Sequence, residues 1–301
     1  MRVGVTGSSG FIGSAVVAAL VERDDHVISF VRPDTPPQPG DTIRWDPSRA
    51  LVDDHDLRRV GGFDAVINLA GAGIADHRWT QSRKEEIRRS RREATTLLVR
   101  LLNESSGTPL LASASAIGIY GSRGDEVLDE SSTKGDDFLA EVCTEWEGAT
   151  TPLERSGSTV AHFRTGIVMS RRGGALKRQL PLFGFGLGGP LGTGQQWVSP
   201  ISLRDEVRAI IFLLEYRRSG PFNLVAPAPV RNRDFTKVLA RYLHRLALLR
   251  VPSRVLDVVL GTELAEGAVL ASQRVVPAAL LNAGFSFESP EIDSIISSAL
   301  S

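Results

Sequence analysis

Cysteine is almost absent from this chain: Cys143 is the single one in 301 residues. A lone thiol closes no internal disulfide, so nothing in the composition points to secretion. Charge of one sign is lacking too. The 35 basic and 35 acidic side chains cancel to a formal net charge of zero. That balance argues against a general binder of nucleic acid or of an anionic membrane surface, since both rely on excess positive charge. No apolar run approaches the roughly 18 residues of a transmembrane helix. The opening Met1-Arg2-Val3-Gly4-Val5-Thr6-Gly7 is far too short an apolar run for a signal peptide. A cytoplasmic protein is the default expectation. The five histidines, at 26, 55, 77, 162 and 244, show no metal-ligand spacing, and no metal is expected. There is no internal repeat and no low-complexity tract. What remains is ordinary globular material, 42% hydrophobic and 23% charged. Its length suits one large α/β domain or two modest ones.

Strand and helix signals alternate along the chain, which argues for a parallel sheet covered by helices. Arg2 to Thr6 is a short apolar strand. Phe11 to Glu22 has helical spacing, with Ile12, Val16, Ala19 and Leu20 on one face. His26 to Val31 is the second strand, and 32–40, with four prolines, reads as a loop. Ala65 to Ala70 is another strand. Ser82 to Leu102 is a long helix with a basic face. Leu110 to Ser113 begins a strand, 136–150 is a helix, and Val160 to Arg164 with Gly166 to Met169 reads as a strand and its turn. Residues 173–200, rich in Gly, Pro and Leu, read as irregular. Leu203 to Tyr216 is a helix and Phe222 to Val225 a strand. Residues 232–249, 253–260 and 290–300 read as helices of a smaller C-terminal part.

The first chemistry lies in Thr6-Gly7-Ser8-Ser9-Gly10-Phe11-Ile12-Gly13, which follows a strand and opens a helix. In such a turn one glycine makes the tight bend. Another lets a pyrophosphate approach backbone N–H groups, and a third lets the helix pack close to the sheet. The helix N-terminus then faces the phosphates with its partial positive charge. A glycine triplet alone is weak evidence; the strand–turn–helix context makes it a dinucleotide site. The expected contacts are Thr6, Gly7, Ser9, Gly10, Phe11, Ile12 and Gly13. The fold class is therefore α/β, a Rossmann-type doubly wound parallel sheet with a smaller C-terminal part.

The end of the second strand selects the cofactor. A fold that prefers NAD places Asp or Glu there, on the ribose 2′-hydroxyl. This chain has Val31-Arg32-Pro33 instead. A carboxylate would repel a 2′-phosphate, whereas a guanidinium holds it with a charge-assisted fork. Val31 and Arg32 therefore point to NADP(H); the bland alternative for Arg32 is a solvated surface side chain.

These residues, with a series of further stretches, resemble the extended short-chain dehydrogenase/reductases. More narrowly, the chain is similar to their atypical group called nucleoside-diphosphate-sugar epimerase-like or "epimerase family" proteins. The matching stretches are Thr6 to Gly13, Asn68-Leu69-Ala70-Gly71-Ala72, Arg78-Trp79-Thr80 with Ser90-Arg91, and Phe138 to Glu147. Arg164 to Val168, Gly188 to Gly192, Ser272 to Val275 and Pro277 to Phe287 complete them, so the resemblance spans nearly the whole chain. It implies an NADP(H)-binding domain over 1–172, to which 203–226 returns. It also implies a substrate lobe from 173–202 and 227–301, and a cleft between the two. Leu69, Ala70, Gly71, Glu86, Arg91 and Val168 are its further cofactor contacts. Glu86 and Arg91 lie in a charge-rich helix, where most such groups simply face water. Superfamily members often pair through helices matching 83–102 and 136–150, which makes a homodimer an expectation.

The superfamily's usual relay is a Tyr followed four residues on by Lys. The lysine lowers the phenol pKa so that it can act as acid or base. The three tyrosines here, Tyr120, Tyr216 and Tyr242, are followed at that distance by Gly124, Gly220 and Leu246. The pair exists nowhere in the chain, and its place is taken by Phe138-Leu139-Ala140-Glu141-Val142-Cys143. Ser115 matches the superfamily serine and, with Tyr120, is what remains as catalytic candidates; packing and turn formation is the competing role for Tyr120. Cys143 reads as a buried, inert thiol. In the substrate lobe, the group's Trp-Ile-His segment is replaced by Pro200-Ile201-Ser202, while Asp205 is kept.

Three readings follow. One is an NADP(H)-dependent oxidoreductase of unknown substrate with an unusual proton source. Another is a nucleoside-diphosphate-sugar epimerase, disfavoured by the missing base and by Arg32. The third is a non-catalytic NADP(H)-binding or redox-sensing protein.

Overall fold

The computed structural model describes residues 1–36, 40–105, 107–247 and 249–301. Its centre is an eight-stranded sheet. From one edge the strands are Gly220–Leu224, Val160–Thr165, Leu110–Ala116, Ala65–Asn68, Arg2–Thr6, His26–Val31, Asp41–Asp46 and Leu51–Val52. All neighbours run parallel except the last pair. The order reverses beside the first strand, and ligands of open α/β sheets bind at such a switch point, beyond the carboxyl ends of the strands.

Both faces of the sheet are covered, as near-continuous apolar strands require. Val3, Val5, Ala65 and Ile67 point to the side of the helices Phe11–Glu22 and Leu203–Glu215, where they meet Val16, Leu20, Ile210 and Leu213. Ile28, Phe30, Val66 and Leu111 point the other way, to Ala94, Leu97 and Leu98 of the long helix Gln81–Glu104. Helix starts are set by side-chain caps. Thr80 accepts from the Arg83 N–H at 3.2 Å, Asp137 from Ala140 at 2.9 Å and Ser202 from Asp205 at 3.0 Å.

The smaller lobe packs a third apolar cluster, including Leu176, Phe183, Phe235, Leu239, Ile295 and Ile296. It joins the main body through a parallel pair, Ile167–Met169 with Pro200–Ser202. No helix of the described residues is long and apolar enough to cross a membrane.

The structure departs from the sequence expectations in places. The strand Asp41–Asp46 and the helix Asp54–Val60 were not anticipated. Residues 173–200, expected to be irregular, contain the helix Gly174–Gly184, which carries Pro181 inside it and buries Leu176 and Phe183. The helix expected over 232–249 ends at Tyr242. Of the proline-rich loop, residues 37–39 lie outside the described residues.

Candidate functional site

The glycine turn is forced by close backbone approach. Gly7 sits at φ +64°, and the turn is closed by a 2.9 Å bond from the Gly10 N–H to the Gly7 carbonyl. A Cβ on Gly13 would lie 2.0 Å from that carbonyl oxygen. Only glycine fits there, and the helix Phe11–Glu22 thereby starts close against the carboxyl end of the first strand, with its first N–H groups free to face the groove at the switch point. Ser9 and Gly10 are exposed at its mouth, and Phe11 and Ile12 are half-buried.

A buried polar network fixes the opposite wall. Thr6 Oγ1 donates to Asn68 Oδ1 at 2.9 Å and accepts from the Leu69 and Ala70 N–H groups at 3.0 and 3.1 Å. Asn68 Nδ2 in turn donates to Thr95 Oγ1 and Ser113 Oγ. Thr6, expected as a cofactor contact, is fully buried and spends its hydroxyl on this brace. Leu69 and Ala70 are left half-buried at the groove, and Gly71 is exposed.

Arg91 stands behind Gly71. Its guanidinium lies 4.8 Å over the Trp146 ring and donates to the carbonyls of Ala72 and Ile87. Burial pulls its pKa down to about 10. No carboxylate pairs with it among the described residues. A half-buried cation that pairs with no acid suits an anionic ligand nearby. The glycine cradle and this spare charge together fit a dinucleotide diphosphate.

The other expected contacts are dispersed around the same sheet end. Val31 ends the second strand and Arg32 follows it, exposed, 3.6 Å from Asp46. The Val168 carbonyl and the Phe11 ring both lie against Gly174, at 3.1 and 3.2 Å from the position of a Cβ there. Glu86 is further out. It is exposed, bonded to Arg83 at 2.6 Å, and lines a cavity of about 560 Å³ with His77, Arg78, Thr80, Ser82, Arg83 and Arg89.

The two catalytic candidates belong to a single buried network. Ser115 Oγ donates to Glu147 Oε1 at 2.8 Å. Arg164 grips the same carboxylate through Nε and Nη2, at 2.8 and 3.0 Å, and donates through Nη1 to the Tyr120 oxygen at 2.9 Å. The Tyr120 phenol donates to Asn223 Oδ1 at 2.7 Å. Tyr120 is fully buried, and burial pushes its pKa up to about 12. It has neither access nor acidity for proton transfer near neutral pH; this geometry is that of a packing residue. Ser115 is also buried and committed to Glu147. Cys143 lies next to Ser115, and burial raises its thiol to about 11. His162 is buried against Thr150, and burial lowers its pKa.

Glu147 and Arg164 lie in stretches that carry the family resemblance, with no role expected of either. They lie 17 positions apart on a helix and a strand, and nothing local signals their pairing. Glu206 was missed altogether. It is fully buried, accepts from Thr165 Oγ1 at 2.7 Å, and its Oε2 has no partner among the described residues. Burial pushes its pKa up to about 8. One acid–histidine group also went unnoticed: Asp53, His55 and Asp56. Asp53 caps its helix, and Asp56 is held by Arg44 at 2.9 Å, so both carboxylates have structural work.

Comparisons with known proteins identify the family and the fold. Residues 3–143 match the NAD dependent epimerase/dehydratase family, and residues 251–299 match a domain of unknown function. An epimerase family protein of Mycobacterium bovis is 43% identical over 286 residues, covering 95% of this chain and 93% of that one. A chloroplastic epimerase family protein of Arabidopsis thaliana is 38% identical over 296 residues, 96% of this chain and 83% of that one. Among solved structures, human epimerase family protein SDR39U1 with NADPH superimposes with a TM-score of 0.89 at 31% identity, covering 99% of both chains. The chain belongs to the epimerase family proteins of the NAD-dependent epimerase/dehydratase family.

Proposed function

We propose that the protein binds NADP(H) and acts as an oxidoreductase on a small-molecule substrate, without the tyrosine–lysine relay. The observation that carries the cofactor choice is Arg32. Its guanidinium stands at the end of the second strand, 63% exposed, with only a long contact of 3.6 Å to Asp46. It is free to turn onto a 2′-phosphate, and no acid occupies its position. The human relative, by its own description, was solved with NADPH. Gly7, Gly10 and Gly13 would cradle the diphosphate, with the charge of Arg91 behind Gly71. Bound there, the nicotinamide would supply hydride chemistry. The lobe formed by 173–202 and 227–301 would supply the substrate side of the cleft.

A second reading, binding without turnover, is favoured by one observation: Ser115 and Tyr120 are both buried and both committed to the Glu147–Arg164 network. Fluorescence titration with NADPH and NADH, on wild type and Arg32→Ala, tests the cofactor. NADPH should bind tighter, and the variant should lose most of the difference, about 1.5–3 kcal/mol for a charged hydrogen bond. Equal binding of both nucleotides by wild type would remove Arg32 from the site. Substrate-dependent oxidation of bound NADPH, screened over carbonyl compounds, then separates an oxidoreductase from a binder.

A further inference from the structure

The segment 71–80 leaves the strand Ala65–Asn68 at one wall of the groove and ends at Thr80, the cap of the helix Gln81–Glu104. Both of its ends are tied down. At the start, the Ala72 N–H donates to Ser90 Oγ at 3.0 Å and the Ala72 carbonyl accepts from Arg91 at 3.0 Å. At the far end, Trp79 packs edge-on against Phe138, with ring centres 5.0 Å apart, and lies against Gly267. Arg78 donates to the carbonyls of Val258 and Val259, at the last turn of the helix Ser253–Leu260.

The middle is different. Ala75, Asp76 and His77 are exposed. Arg178 donates to the Ala75 carbonyl and to Asp76 Oδ1, the latter at 2.8 Å, and Asp76 has a longer contact of 3.8 Å to Arg83. Arg178 sits on the helix Gly174–Gly184. That helix rises from Gly173, where a Cβ would meet the Phe11 ring at 2.3 Å. Phe11 begins the helix of the glycine turn, so Arg178 stands on the opposite wall of the groove. The segment therefore crosses the groove from the Gly71 side to the Phe11 side.

We propose that 71–80 is a clasp over the dinucleotide groove, that Asp76 and Arg178 are its latch, and that opening the latch sets the rate at which the cofactor leaves. Anchored ends and an exposed middle are what such a device needs: the latch parts without disturbing the anchors. The two side chains are 52% and 55% exposed, so solvent competes for their bond and it breaks readily. Retention of cofactor rests on the NADP(H) reading above; the latch itself does not.

The test has two arms, on wild type, Asp76→Asn, Arg178→Ala and the charge swap Asp76→Arg with Arg178→Asp. Without nucleotide, hydrogen exchange of the amides of 74–77 should quicken about fivefold in each single variant, the loss of a surface pair. Amides of the strand Ala65–Asn68 should not change. With NADPH bound and chased by excess NADP+, stopped-flow release should quicken about as much in the single variants and return towards wild type in the swap. Unchanged exchange in 74–77 overturns the latch. Quickened exchange with unchanged NADPH release overturns its control of the cofactor. Failure of wild type to bind NADPH overturns the cofactor reading and leaves the exchange arm to judge the latch.

Discussion

Arg164 and Glu147 form a two-point ion pair in the interior, with the Arg164 side chain 7% and the Glu147 side chain 10% exposed. Burial alone would raise the Glu147 carboxyl, but the hydrogen bonds and charge of Arg164 hold it below the usual carboxylate range. Burial works against the Arg164 charge in the same way, and Glu147 outweighs it. Breaking such a pair leaves one uncompensated charge inside the protein. Glu147→Ala should cost about 3–5 kcal/mol of stability, read as a lower urea midpoint with an unchanged slope. Because the folded carboxyl is more acidic than the unfolded one, its contribution is present above the unfolded value and lost as pH falls through the folded one. Acid unfolding of Glu147→Gln should accordingly be shallower than that of wild type. A wild-type urea midpoint in Glu147→Ala would show that the pair contributes nothing net.

Glu206 has the opposite sign. Its folded pKa of about 8 exceeds the ordinary 4.5, so the folded protein keeps a proton that the unfolded chain has released. Stability from this group is complete below the unfolded value and declines as pH rises to about 8. Each unit of that gap is worth about 1.4 kcal/mol. Glu206→Gln should flatten the stability profile between pH 5 and pH 9, checked by chemical denaturation across that range. Parallel profiles for variant and wild type would mean that the carboxyl titrates normally.

The thiol of Cys143 is 3% exposed and raised to about 11. Thiolate is scarce at neutral pH and out of reach. A colorimetric disulfide reagent should therefore find no reactive sulfur in the folded protein over an hour, and one per chain in denaturant. Rapid labelling of native protein would expose an opening motion that this packing does not suggest.

Gly13→Ala is the sharpest test of the turn. The added methyl would fall 2.0 Å from the Gly7 carbonyl oxygen, so backbone must move. A loss of about 1–3 kcal/mol is expected from overpacking, together with loss of nucleotide binding. Ser14→Ala, exposed on the next position of the same helix, should stay within about 0.5 kcal/mol of wild type and bind normally.

What was legible in the sequence follows from how local each signal is. The glycine turn, its two flanking elements and the basic strand end at Arg32 are read from neighbours in the chain, and the structure forms those elements where the residues suggest. The strand Asp41–Asp46 escaped notice. It lies near the sheet edge, only Ile43 and Trp45 are buried, and charged or polar residues alternate with them. The helix Gly174–Gly184 was hidden by its composition: glycine at both ends and Pro181 within read as loop. Burial of Leu176 and Phe183 outweighs those weak propensities. The network of Ser115, Glu147, Arg164, Tyr120 and Asn223 draws on three strands, a helix and a short turn, so its pairing exists only in three dimensions. That is why Ser115 and Tyr120 stand out in the sequence as survivors of a catalytic set, while the structure shows them as members of a closed internal circuit.

The route of the chain between the strands Val160–Thr165 and Gly220–Leu224 bears on how the molecule is made. These two are hydrogen-bonded neighbours, yet 173–202 is spent on the smaller lobe between them. During synthesis, the inner strand emerges long before the one that covers it. Until then it presents bare N–H and C=O groups to any other nascent chain. A polypeptide halted anywhere in 173–219 would carry that open edge permanently. The sheet is sealed only after the lobe segment has been delivered, and the lobe in turn needs Ile295 and Ile296 from the last helix. The two halves are thus finished in order along the chain, the sheet at Gly220–Leu224 and the lobe only at Ile295 and Ile296.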